Sequence, residues 1–307
     1  MMSKKVWIPS LLLALGIGVA WHFKLASLMY YLAIAGGIDA KSLEPQLGLS
    51  NYSVSIQALP IQGVERNLSG LTFNASTGTL FSVINRPPKV VELSLDGRLL
   101  REIPIIGAID PEGITHVSGK FFVITEEDSQ QIFRVQIDQQ TRVIQKSEMP
   151  RLGLAIDFLE NLGFEGVSWD AKNKRLFVSK EKAPLRIIEI SGLMEAFEGQ
   201  GVLNLQIKEW KSPKAATLFM TDISSVSFHE KTGTLLILSD ESAVIVEYAA
   251  DGRPLGILPM WTGRHGLTRG VPQAEGLAVG PGGEIFIVSE PNLFYRFDPA
   301  TSTARPQ

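Results

Sequence analysis

A chain of 307 residues with 45% hydrophobic content can bury a large core, and its lack of cysteine excludes a disulfide framework, a thiolate metal site and a thiol nucleophile. The net charge of -3 and pI near 5.9 argue against a nucleic-acid partner, because phosphates are met by a basic surface.

After Lys4 and Lys5, the run from Val6 to Trp21 is free of charge. With His22 and Phe23 it predicts a helix of roughly 27 Å at ~1.5 Å per residue, near the ~30 Å of a bilayer core. Residues 1–24 therefore read as an uncleaved membrane anchor. The leading lysines favour an N-terminus inside and the main domain outside, while Lys24 and Lys41 weaken that bias. A cleaved signal peptide is the competing reading: Ala33-Ile34-Ala35 has the small-x-small form, but Lys24 interrupts the apolar stretch before it. Residues 25–50, with a second apolar run from Leu25 to Ile38, read as a juxtamembrane segment and linker.

Residues 51–307 repeat one β unit. Its opening phrase recurs as Ser69-Gly70, Glu112-Gly113, Glu165-Gly166, Ser224-Ser225 and Glu275-Gly276, each followed by a hairpin and a second strand. Alternation predicts strands from Ser69, Thr79, Lys89 and Leu99 in the first unit. The second has strands from Glu112, Lys120, Gln130 and Thr141 (to Met149); the third from Glu165, Arg175, Leu185 and Val202, with a short helix over 192–199. The fourth has strands from Ile223, Thr234, Ala243 and Pro254; the fifth only three, from Glu275, Glu284 and Leu293. Tyr52 to Leu59 is an orphan strand, so the two chain ends should complete one blade together. The expected fold is an all-β, five-bladed propeller closed by an N-terminal strand and preceded by a transmembrane helix.

In such a blade the start of the innermost strand and the end of its neighbour share one face. The first column is then Ser69, Glu112, Glu165, Ser224 and Glu275; aligning second strands on their apolar pairs gives Asn85, Glu126, Glu181, Asp240 and Glu290 as the other. Asn67, Asp110 and Asp222 add oxygen to the same rim. Carboxylates about 5 Å apart repel by roughly 3 kcal/mol per pair at an effective dielectric near 20, which a cation would relieve. An all-oxygen donor set selects a hard ion, Ca²⁺ before Mg²⁺ or Mn²⁺. The metal candidates are Glu112, Glu165, Glu275, Glu126, Glu181, Asp240 and Glu290. The glycines that follow the first-column acids fit close backbone approach at a crowded axis. Single Glu-Gly phrases are commonly solvated loop charges, and it is their register that points to a site.

Gly163-Phe164-Glu165-Gly166, Gln273-Ala274-Glu275-Gly276, Val288-Ser289-Glu290-Pro291-Asn292 and Val83-Ile84-Asn85-Arg86-Pro87-Pro88 together resemble the SdiA-regulated, or YjiK-like, family of bacterial membrane-associated proteins. The resemblance covers nearly all of Tyr52 to Asp298. It implies a five-bladed propeller distantly similar to NHL-repeat propellers, with a calcium site and no established biochemical role. With the apolar run and the leading lysines it gives the expected location, the bacterial inner membrane, single-pass, with the propeller in the periplasm. The expected partners are the lipid bilayer and a small-molecule or protein ligand at the metal face.

The main functional expectation is a calcium-binding interaction module. One alternative is a Ca²⁺-dependent hydrolase of esters, lactones or phosphoesters, which needs a proton-transferring side chain at the metal. His116 and His229 should lie on the opposite face, leaving His265 with Arg264, in the loop entering the fifth blade, as the catalytic candidates. The other alternative is a metal that only staples the ring. There is no G-x-S-x-G elbow, and Trp169, Trp210 and Trp261 read as inter-blade packing.

Overall fold

The computed structural model describes residues 4–22, 25–37, 45–154, 163–180, 185–199, 204–210 and 220–300. Helices α1 (Lys4–His22) and α2 (Leu25–Gly37) come first. Among the described residues no single helix is long and apolar enough to cross a membrane; Pro9–Ala20 and Leu25–Ala33 meet that requirement only together, across a 56° bend. The single straight span expected over residues 1–24 is thus not shown by α1 alone. Part of α2 is committed elsewhere, since it packs on the fourth blade: the Tyr30 and Tyr248 hydroxyls lie 3.1 Å apart, and Tyr31 meets Trp261 edge-on at 5.8 Å.

The outer strand β1 (Tyr52–Pro60) precedes blade one, which comprises β2 (Leu68–Asn74), β3 (Thr79–Ile84), β4 (Lys89–Leu93) and β5 (Leu99–Ile106). Blade two has β6 (Pro111–Ser118), β7 (Phe121–Glu126) and β8 (Gln131–Gln136); then come β9 (Ile144–Gln145) and β10 (Arg151–Gly153). Blade three is β11 (Phe164–Asp170), β12 (Arg175–Lys180), β13 (Arg186–Ser191), helix α3 (Leu193–Glu198) and β14 (Gln206–Glu209). Blade four is β15 (Ser225–His229), β16 (Thr234–Ser239), β17 (Val244–Tyr248) and β18 (Pro254–Pro259); blade five is β19 (Ala274–Val279), β20 (Ile285–Ser289) and β21 (Leu293–Pro299). Inner strands touch in the cyclic order β2, β6, β11, β15, β19 and back to β2, so the ring has five blades.

The expected closure is present: β1 pairs antiparallel with β21, Tyr52 opposite Pro299 and Pro60 opposite Leu293. Tyr52 is buried and its hydroxyl donates to the Gly283 carbonyl at 2.7 Å, fastening the added strand to the blade. Tyr52→Phe should cost about 1 kcal/mol in urea unfolding, the net worth of one buried hydrogen bond.

Blade two departs from expectation. Its outer strand is β10, not residues 141–149; within that segment, β9 crosses to blade one and pairs in parallel with β5, Ile105 opposite Ile144. Ile144 is buried in the seam with Phe81, Ile105 and Phe133, so the apolar seam, which alternation cannot foresee, decides its partner. Each seam between blades holds one such cluster. Phe81 with Phe122 fills the first seam, Val123 with Leu176 the second and Phe177 with Ile237 the third. Leu236 with Ile287 and Phe286 with Leu80 fill the last two. Each fully buried side chain of this size contributes about 1.5–3 kcal/mol, so the seams hold the inner strands in place.

Candidate metal centre at the acidic rim

At the start of each inner strand except β15, the ladder with its neighbour slips. The register skips Gly70 in β2, Glu112 in β6, Glu165 and Gly166 in β11, and Glu275 in β19, whereas β15 runs on without a break. A β-bulge re-aims the side chain it carries, which is how a strand paired on one side turns a carboxylate toward the axis. The glycines let the inner strands crowd. A Cβ on Gly113 would lie 2.3 Å from the Glu165 carbonyl oxygen, one on Gly166 2.6 Å from the Val226 nitrogen, and one on Gly276 2.7 Å from the Gly70 carbonyl carbon.

Strand register also sets the second column. Thr72, Thr115, Ser168, Ser227 and Ala278 occupy equivalent places and face Phe81, Val123, Phe177, Leu236 and Phe286. Counting four onward gives Asn85, Glu127, Glu181, Asp240 and Glu290, so the rim acid of blade two is Glu127. Glu126 is a correction. Its carboxylate accepts from the Ile109 amide at 2.8 Å, from the Ser129 hydroxyl and from the buried Lys146 ammonium, and it serves the seam beside β9. The run Phe121 to Ile124 permits two apolar alignments; the repeated hydroxyl of the inner strand is the sequence signal that separates them.

Asp110, Glu112 and Glu127 each place a carboxylate oxygen within 4.8 Å of the other two. The Asn85 amide donates to Glu112 Oε1 at 2.8 Å, and Arg86 pairs with Asp110 Oδ2 at 3.0 Å. Asp110 Oδ1 and Asn85 Oδ1 are buried without a hydrogen-bond partner. Burial pushes Glu112 up to about 7, helped by the charges of Asp110 and Glu127 and opposed by the Asn85 amide. Burial takes Glu275 up to about 8, with Asp240, Glu112, Glu290 and Asp222 all repelling its charge. Glu290 is raised by burial as well.

Other expected ligands stand outside that trio. Glu165 is buried at its bulge, its backbone carbonyl held by Thr125 at 2.8 Å. Asp240 Oδ1 accepts the Ala274 amide at 3.1 Å, which ties blade four to blade five. Asp222 spends both oxygens on loop amides and the hydroxyls of Ser224 and Ser239. Glu181 lies outside the described residues.

The catalytic candidates are a second correction. His265 donates through Nδ1 to the Tyr52 carbonyl at 2.8 Å, and Arg264 lies 5.2 Å above the ring of Tyr31 on α2. Their loop folds back over the outer strand β1, where the His265 carbonyl accepts the Val54 amide at 2.8 Å. His116 and His229 line the opposite mouth, as expected. Trp210 packs between Phe177 and Tyr248, at 6.4 and 6.1 Å.

Five blades with a bulged, acid-bearing inner rim define an oxygen-rich propeller channel. The chain belongs to the SdiA-regulated family, which it matches over residues 44–298. Among solved structures, a luciferin-regenerating enzyme aligns at TM-score 0.50 and 10% identity, over 81% of this chain and 96% of that one. Regucalcin from Agrobacterium tumefaciens strain C58, a calcium-binding protein, aligns at TM-score 0.49 and 11% identity, over 80% and 94%. A gluconolactonase from Xanthomonas campestris aligns at TM-score 0.46 and 10% identity, over 80% and 96%. At such identities the likeness is one of fold.

Proposed function

We propose that this chain is a calcium-binding propeller anchored in the bacterial inner membrane, with the propeller in the periplasm and the acidic rim as its ligand-binding face. The observation that carries the metal is the pair of orphaned oxygens, Asp110 Oδ1 and Asn85 Oδ1, beside three clustered carboxylates. A buried acceptor without a donor costs about 1–3 kcal/mol, and a cation supplies what no described donor does. Asp110, Glu112, Glu127 and Asn85 would hold the ion. Only oxygens are offered, which suits Ca²⁺ ahead of Mg²⁺ or Mn²⁺. The ion would supply fixed positive charge at the channel mouth, while Asn85 orients Glu112 and Arg86 holds Asp110.

The anchor is supported by α1, whose Leu11, Leu12, Leu13, Leu15 and Ile17 are all exposed, and by the lysines ahead of them. Carbonate-washed membranes should retain the full-length chain; release into the wash would remove the anchor from this reading. A hydrolytic role has little support, since no described histidine side chain stands at the acidic rim.

Metal content of the purified chain, before and after chelation, tests the site. Calcium should rebind within about 1 mM and, at a hundredfold excess over its dissociation constant, stabilise by about 2.7 kcal/mol. Asp110→Asn should lose that gain while folding normally. Retained calcium response in both Asp110→Asn and Glu127→Gln would place the ion elsewhere.

A further inference from the structure

On the face opposite the acids, the ends of all five inner strands enclose a cavity of about 490 Å³. Five aromatic rings line it: Phe73, Trp169 and Phe228, with His116 and His229. Phe228 is fixed by stacking on Phe177 at 5.5 Å, and His116 by Phe122 at 5.0 Å and by donation from Nε2 to the Gly119 carbonyl at 3.0 Å. Nearer the axis stand the repeated hydroxyls. Thr72 accepts the His116 amide at 3.1 Å, Thr115 the Trp169 amide at 3.2 Å and Ser168 the Phe228 amide at 2.8 Å. Each therefore keeps its own O–H to donate. The Ser227 hydroxyl, at the equivalent place in blade four, makes no hydrogen bond to a described residue, and Ser227 lines the cavity.

The two charged residues at this mouth bridge its hairpins. Glu230 accepts the Ala171 amide and Lys231 donates to the Pro281 carbonyl, tying neighbouring hairpins together. Burial lowers the pKa of both imidazoles, which favours their neutral form. A mainly apolar concavity of this size with a few convergent donors is the usual form of a small-molecule site.

We propose that this mouth is a second ligand site, independent of the acidic rim, that takes a small planar ring compound carrying a carbonyl or similar acceptor oxygen. The ring packs against Trp169 and Phe228, and the acceptor takes hydrogens from the Ser227, Ser168 and Thr115 hydroxyls. The charged side chains that line it, Glu230 and Lys231, are opposite in sign and give a cation no net field to follow.

Saturation-transfer NMR on the full chain tests this, with acetophenone as the ring carbonyl and cyclohexylamine as the cation. Acetophenone should receive saturation and cyclohexylamine should not. Ser227→Ala should weaken acetophenone about three- to tenfold, the worth of one hydrogen bond, with no change in Tm because that hydroxyl holds nothing in the fold. Ser227→Phe should fill the axis and abolish transfer, and calcium chelation should leave it unchanged. The site is overturned by absence of transfer to acetophenone, by equal transfer to cyclohexylamine, by acetophenone binding that is unaltered in Ser227→Ala, or by transfer that disappears on chelation.

Discussion

A Gly113→Val chain is expected to lose about 3 kcal/mol or more of stability, or to fail to fold, because the added branch meets backbone on the next blade. The new Cβ would stand 2.3 Å from the Glu165 carbonyl oxygen and 2.4 Å from Thr125 Oγ1, the group that fixes that carbonyl. Relief requires blades two and three to part, which opens the seam holding Val123, Leu176 and Val178. Serine should fail there too, although Ser225 stands at the matching place in blade four. That blade has no bulge, so the backbone at Ser225 is set differently. Urea unfolding of Gly113→Ser and Gly113→Val checks this, and stability within about 0.5 kcal/mol of the parent would refute the close-approach account of the repeated glycine.

The second large effect is a reversal of pH dependence by calcium. Glu112 and Glu275 are raised in the folded chain to about 7 and about 8, against a carboxylate value near 4.3 when unfolded. Between those limits the native state holds more protons than the unfolded state. Stability of the metal-free chain should therefore be fully retained below pH ~4.3 with respect to these two groups and fall as pH rises toward 8. Each extra proton contributes a slope of at most about 1.4 kcal/mol per pH unit. Calcium binding must expel those protons, so calcium affinity should climb over the same range. Denaturant titrations at pH 5.5 and 8, with chelator and with calcium, should cross over. Glu112→Gln offers the matching check: it should raise metal-free stability at pH 8, since it removes a charge that burial opposes, while it erases the calcium gain. A metal-free chain that grows more stable from pH 5.5 to 8 would contradict this electrostatic picture of the rim.

Much of the fold was legible because the seams repeat. Strands 79–84, 175–180 and 234–239 fall where alternation puts them, and the orphan strand at Tyr52 closes blade five as the missing outer strand there required. The glycine after each acid was readable as close approach, and the contacts at Gly113, Gly166 and Gly276 show what is approached. Less legible were the placements that depend on more than one blade. Residues 144–145 read as strand, yet their partner is β5 of the preceding blade, chosen by the apolar seam around Phe81 and Phe133.

Sequence alone determined that this chain is a five-fold β repeat with acids gathered at one rim, because hairpin turns, period-two alternation and the Glu-Gly phrase are all local properties. Only the tertiary structure decided which acids share a point. A register change of one residue exchanges Glu126 for Glu127, sending one carboxylate to Lys146 in the seam and the other beside Asp110 and Glu112. It likewise set His265 against β1 on the outer wall and assembled the hydroxyl-lined mouth from five separated strands. Bulges and blade contacts act between segments about 40 to 60 residues apart, and no pattern within one segment carries that information.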